Sequence, residues 1–284
     1  MKTILIVIAG MADVPDPLTG QETPLVATHV PALDLLARRG ELTAIPPLSE
    51  GEPVSHVNAL LSLLGYDLAR GIPNVEQLME FGLDNSSRIS DFDSLRPFVI
   101  PGFSGHGVCV TPSAWVRGAA KCALLKPLDI YSPGAADTDL LNAMAQLTCS
   151  AIANPLCEFV LVYYDSPLRA ALKGNFEAKK QALELIDRHL ISTVADFVWK
   201  SELFINMAVT TDLVTPWHRR RPILMPVPLA LYYNNLDQEG DPELNFNEVT
   251  AMLSPRNFNS PDSLIRYLIN FNVSEEELPQ NPLP

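Results

Sequence analysis

Two aspartates stand where chemistry is easiest to build. Asp165 closes the run EFVLVYYD and Asp212 closes LFINMAVTTD, so each carboxylate follows an apolar, strand-like stretch. A carboxylate in that position can hold a hard divalent cation with several further ligands, or it can cap or pair within the helix that follows. Ser55 precedes the apolar stretch VNALLSLLG and could serve as its N-cap or as a nucleophile. His56 follows it, and His106 and His218 are the other imidazoles of interest, but their spacing matches no metal motif. The segment GFSGHG, 102–107, could offer backbone amides to an anion or be a plain loop. Arg219, Arg220 and Arg221 form the one dense basic cluster, suited to a phosphate or carboxylate, or to a solvated loop. The end of the first apolar run, where α/β enzymes commonly place a ligand or catalytic group, holds only the methyl of Ala9.

The elements that must position these groups are legible as alternating strands and helices. Residues 3–9 form a continuous aliphatic run typical of a strand buried on both faces. PALDLLARR, 31–39, has helical spacing, opens on Pro31 and stops at Gly40. ELTAIP then reads as a short strand, and VNALLSLLG as an apolar helix ending at Gly65. Residues 72–106 are the least regular part. GVCVTP reads as a strand, 113–124 as an Ala-rich helix, and PLDIYSPGAADTDLL as strand, turn and a helix capped by Asp137 or Thr138. EFVLVYYD is a strand followed by one helix ending near Ile191, and LFINMAVTTD and PVPLALYYN complete the core strands. This alternation predicts an α/β fold with a mostly parallel sheet covered by helices on both faces. Beyond about residue 234 a polar extension, 234–284, carries two short helices near 247–253 and 261–270, and its Pro-rich end reads as a mobile tail.

Composition narrows the function. The chain has 284 residues, 47% of them hydrophobic, enough for a substantial core and for one large α/β domain or two small ones. A formal net charge of −13 argues against a sequence-independent hold on nucleic acid. No apolar stretch reaches the ~18 residues that a membrane span requires. Cys109, Cys122, Cys149 and Cys157 lack paired spacing and sit among apolar residues, as reduced core thiols of a cytoplasmic protein would.

Several strings, in order, carry a resemblance. ILIVIAGMADVPDPLTGQETPL, PALDLLARRGELT, SHVNALLSLLGYD, VRGAAKCALLKPLDIYSPGAADTDL, VLVYYDSP with EAKKQALELID, and AVTTDLVTPWHRRRPILMPVPLAL are similar to segments of the archaeal-type cofactor-independent phosphoglycerate mutases, in the alkaline phosphatase superfamily. The resemblance implies an alkaline-phosphatase-like core, a single domain over 1–284, and a two-metal phosphoryl-transfer site. It also implies that most of the site has been replaced. Ala9 stands where the family has its first-strand aspartate, Arg169 and Leu213 stand at histidine positions, and Pro222 at the last histidine. Asp165 and Asp212 remain as remnants of the ligand set. The family's nucleophilic serine falls on His56 by direct count, or on Ser55 after a one-residue insertion. Residues 72–106 are too short for the family's cap domain.

Two expectations follow. The first is a non-catalytic, phosphoglycerate-mutase-like binding or assembly module that needs no cofactor and engages a protein partner or a small phosphorylated ligand. The second is an active mutase or small phosphatase with a relocated site, using Ser55, Asp165, Asp212 and Mn or Zn. In the first case an arginine, Arg169 or one of Arg219–Arg221, is expected to fill part of the former metal volume beside Asp165 and Asp212.

Overall fold

The first strand, β1 (Lys2–Ile8), sits at the middle of the sheet because its side chains are apolar on both sides. Leu5, Val7 and the following Ala9 join one hydrophobic layer, while Ile4, Ile6 and Ile8 join the other. The computed structural model describes residues 2–103, 105–130, 136–235, 241–256 and 258–270. After β1 the chain forms α1 (Pro31–Arg39), β2 (Glu41–Ile45), α2 (His56–Leu63) and α3 (Val75–Leu83). Next come β3 (Gly107–Val110), α4 (Ala114–Cys122), β4 (Lys126–Pro127), α5 (Asp137–Ala153) and β5 (Phe159–Tyr164). Then follow α6 (Ser166–Leu172), α7 (Phe176–Ile186), a π-helical turn (Asp187–Ile191) and α8 (Ser192–Lys200). The described chain ends with β6 (Ile205–Thr210), β7 (Val227–Tyr233), α9 (Glu248–Met252) and α10 (Asp262–Asn270).

The seven strands are ordered β2-β7-β6-β1-β5-β3-β4. All pairs from β6 to β4 are parallel; β7 runs antiparallel to both β6 and β2. The α/β class and mostly parallel sheet are those the sequence predicts. Three local readings need correction. The single helix after Asp165 is broken, because Gly174 takes a left-handed backbone (φ +69°) and Asn175 caps a new helix at the Ala178 N–H. It also continues past Ile191, through the π turn to Lys200. Residues 72–106, read as irregular, include α3, whose Gly82 meets Gly118 of α4 in a close crossing. A Cβ on Gly82 would fall 1.9 Å from the Ala114 carbonyl oxygen. Neither Asp137 nor Thr138 caps α5: the preceding Ala136 is the N-cap, and Asp137 Oδ1 accepts from the Tyr164 hydroxyl instead. Part of the turn before α5 and the final Pro-rich tail lie outside the described residues.

The π turn supplies a cap across the chain. Val30, the N-cap residue of α1, makes no side-chain cap. Asp187 replaces it, accepting from Ala32 N (3.1 Å) and Leu33 N (2.8 Å). Burial raises the Asp187 pKa to about 6, outweighing the two amide donors. The native state therefore binds this proton more tightly than the unfolded chain does. Asp187's contribution to stability is greatest below about pH 4 and declines as pH rises to about 6. Unfolding free energies from urea titrations at pH 4 to 7 should fall over that window by about 3 kcal/mol more in the wild type than in Asp187→Asn. Parallel curves for the two proteins would refute the assignment.

Candidate functional site

Three parallel strands deliver the candidate site. β6, β1 and β5 are adjacent, and their carboxyl ends bring Asp212, Ala9 and Asp165 to the same edge of the sheet. Gly10 lets the turn after β1 pass beneath α6. Its φ is +66°, and a Cβ there would lie 2.7 Å from Leu168 Cα, so no other residue fits without displacing α6. The Gly10 N–H then points to Asp212 Oδ1 at 3.3 Å.

Asp212 is fully buried and its two oxygens are occupied by donors of the protein itself. Oδ1 accepts from Leu213 N (2.7 Å) and Gly10 N. Oδ2 accepts from His56 Nδ1 (2.8 Å) and the Tyr163 hydroxyl (3.1 Å). Burial, then the charges of Asp212 and Asp165, hold the Tyr163 phenol far above its usual pKa, so it remains a donor. For His56 burial opposes the protonated ring. The charge and hydrogen bond of Asp212, joined by the charge of Asp165, outweigh that cost and raise the pKa above the ordinary 6.5. With Nδ1 on the carboxylate, Nε2 is buried and has no hydrogen-bond partner among the described residues.

The arginine expectation is half corrected. Arg169 does pair with Asp165 (3.2 Å), but its side chain is half exposed and lies at the surface. Asp165 occupies the N-cap position of α6 without a side-chain cap bond, so ion pairing is its role. Burial raises its pKa against the pull of Arg169. The cation beside Asp212 is His56, not an arginine, and Arg219, Arg220 and Arg221 are all exposed. The reason is reach: His56 begins α2, whose N-terminus abuts the strand ends, whereas the arginine run turns outward after Trp217. Ser55 is the N-cap of α2, its Oγ accepting from Asn58 N (3.1 Å). Ala9 and Leu213 are sealed in the apolar core, and Pro222 is partly exposed beyond it. His106 is exposed, and His218 stacks edge-on against Trp217 with both ring nitrogens buried and unpartnered, so the three histidines form no cluster. Among the described residues, no group of three or more His, Cys, Asp or Glu is arranged to hold a metal ion.

A second buried pair supports this site from beneath, and the sequence reading missed it. Lys179 Nζ donates to Asp13 Oδ2 (2.7 Å), Thr215 O (3.0 Å) and Ala12 O (3.2 Å), with both charged side chains at 0% exposure. Asp13 Oδ2 also accepts from Trp217 N (3.1 Å), and its own N–H donates to Glu248 Oε1 (2.9 Å). The ammonium thus ties the turn after β1, the Asp212 segment and α7 together. A signal was available: Lys179, Ala182, Leu183 and Ile186 share the i, i+3, i+4, i+7 stripe that α7 buries. Tyr163 left a fainter one, as an aromatic two residues before Asp165 in a wholly buried strand.

This architecture is an alkaline-phosphatase-like α/β fold. Solved structures with the same fold include the PH0037 protein from Pyrococcus horikoshii, with a TM-score of 0.72 and 19% identity over 96% of this chain and 97% of that one. The cofactor-independent phosphoglycerate mutase from Thermoplasma acidophilum has a TM-score of 0.60 and 17% identity over 95% and 100%. The alkaline phosphatase of the Antarctic bacterium TAB5 has a TM-score of 0.55 and 9% identity over 95% and 97%. No protein-family model matches the chain.

Its sequence homologues include archaeal cofactor-independent phosphoglycerate mutases. The 2,3-bisphosphoglycerate-independent phosphoglycerate mutase of Thermoplasma volcanium is 30% identical over 158 residues, 56% of this chain and 37% of that one. Phosphoglycerate mutase 1 of the same type from Methanocaldococcus jannaschii is 23% identical over 245 residues, 84% of this chain and 58% of that one. The chain thus spans between about a third and somewhat over half of these relatives' length. Among the described residues no helix is long and apolar enough to cross a membrane.

Proposed function

We propose that this phosphoglycerate-mutase-like chain does not carry out metal-dependent phosphoryl transfer and serves in the cytoplasm as a binding or assembly module. The observation that carries this reading is the state of Asp212. A carboxylate that holds a metal needs a free oxygen facing the ion, whereas both oxygens here accept hydrogen bonds from His56, Tyr163 and two backbone amides. The residues around it do not suit a two-metal centre: two of the family's ligand positions are core hydrocarbon, and a third is an arginine already paired to Asp165. His56 stands in for the missing positive charge. Residues 72–106, with α3 locked on α4, take the place of the relatives' cap within a single domain.

The test is metal stoichiometry. Protein purified in manganese or zinc should carry well under one ion per chain, and millimolar manganese should leave its melting temperature unchanged, since a real site would raise it by mass action. Near two ions per chain would end the proposal. The second reading, an active enzyme with Ser55 as nucleophile, draws on one feature, an imidazole oriented by a carboxylate as a general base would be. It requires hydrolysis of phosphomonoesters or turnover of 3-phosphoglycerate that Ser55→Ala abolishes.

A further inference from the structure

Helix α3 carries more apolar surface than its own packing uses. Its buried side is Leu78, Phe81 and Gly82, and it meets α4 where the backbone of Leu78 passes over Gly118. At ~100° per residue, Val75, Met79 and Leu83 continue the same apolar arc out into solvent. Leu83 is 71% exposed, Met79 43% and Val75 42%. The two groups together span an arc of about 200°, whereas a helix with one buried face needs ~100°. Val75, Met79 and Leu83 also form an i, i+4, i+8 row, a ridge of the kind that seats between the rows of a second helix. Met79 puts an unbranched, adaptable thioether at its centre.

The next row round the helix is acidic: Glu76, Glu80 and the C-cap Asp84, all exposed. For α3 alone this row is a liability. Glu76 and Glu80 repel at i, i+4, Asp84 sits at the negative end of the helix dipole, and α3 has no basic residue to offset them. Lys121 of α4 caps the carbonyls of Phe81 and Asp84. The Asp84 carboxylate is held by the Ser87 and Ser86 hydroxyls and the Ser86 amide, which bring its pKa down to about 2 and keep it charged. Charge then decides what can cover the ridge. An antiparallel pair of two α3 ridges would set the acidic rows side by side, and any second copy brings another net −13. An anionic membrane is repelled for the same reason. A helix with Lys or Arg beside an apolar row satisfies both rows at once.

We propose that the exposed face of α3 docks a partner protein through a basic amphipathic helix. The partner's apolar row packs on Val75, Met79 and Leu83, and its Lys or Arg side chains meet Glu76, Glu80 and Asp84. Attraction between the acidic chain and the basic helix speeds encounter, and burial of the ridge holds the complex. The inference rests on the binding-module reading and deepens it by naming the surface and the chemistry of the partner. It uses no residue of the closed His56–Asp212 site.

The probe is a blocked peptide of about five helical turns, with Leu on one face and Lys on the flanks, and its twin has Glu in place of Lys. Each is titrated into the full chain and followed by fluorescence anisotropy and backbone amide shifts. The Lys peptide should saturate, with shifts centred on 75–84. Met79→Ser combined with Leu83→Ser should weaken it about tenfold, as loss of buried apolar contact predicts. Glu76→Gln combined with Glu80→Gln should weaken it about fivefold and flatten its salt dependence. Both pairs alter exposed side chains and leave the Gly82–Gly118 crossing intact. Absence of saturation, equal binding of the Glu twin, or unchanged affinity in the Met79 and Leu83 variant would each overturn the proposal. So would a dimer of the chain alone, or binding to phosphatidylglycerol vesicles, that the same variant abolishes, since the face would then belong to a second copy or to lipid. Near two metal ions per chain would end the non-catalytic reading instead, and would leave this docking surface standing.

Discussion

Replacing Lys179 with methionine is expected to cost about 3–5 kcal/mol of folding stability, or to prevent folding at 37 °C. The methionine keeps the apolar stem packed in α7 but strands Asp13 at 0% exposure without its counter-ion. It also leaves the carbonyls of Ala12 and Thr215 without the ammonium that both accept from. Burial already lowers the Lys179 pKa, against the pull of Asp13, which shows how much of the ammonium's hydration has been surrendered. Equilibrium denaturation of Lys179→Met, Asp13→Asn and the double variant checks this. The double variant should be less damaged than the sum of the singles, because the second change removes the stranded charge. Strict additivity would mean that the pair is not the source of the effect.

The second large effect belongs to His56. Changing it to leucine should cost about 3 kcal/mol at pH 5.5, at the low end for a broken buried pair because Asp212 keeps Tyr163 and two amides. The cost should also depend on pH. His56 has a folded pKa above 6.5, so its stabilisation is fully present below 6.5 and is lost as pH rises through the folded value. Wild type and variant should therefore converge toward pH 8.5 in urea-unfolding experiments. A gap that stays constant from pH 5.5 to 8.5 would show that His56 acts by packing and a neutral hydrogen bond alone.

The sheet was legible because its determinant is local. An aliphatic run such as ILIVI has no other way to bury both faces, and the alternation of strands with amphipathic helices then requires mostly parallel pairing. Asp165 and Asp212 were legible as strand-end carboxylates for the same reason. Their partners were not. His56 lies 156 positions from Asp212, and nothing in its neighbourhood distinguishes a paired imidazole from a surface one. Arginine was the natural guess for a replacement cation because Arg169 and Arg219–Arg221 are near in sequence. Proximity along the chain matters less than which helix N-terminus meets the strand ends. The break at Gly174 could have been foreseen from Gly-Asn after an apolar stretch, a left-handed stop followed by a cap.

The central position of β1 has a further consequence, in time and not in space. It is synthesised well before its neighbours β5 and β6, which begin at Phe159 and Ile205. At ~5–20 residues per second, about 10–40 s pass before the second partner has been made. Until β5 has been made, this aliphatic strand has no neighbour to pair with, and Asp187 has not yet been made to cap α1. The nascent chain is therefore at greatest risk of aggregation between the synthesis of β1 and that of β5. Chaperone dependence during synthesis should be shaped by β1 more than by any loop, and a charge introduced into ILIVI should impair the yield of folded protein more than its solubility while unfolded.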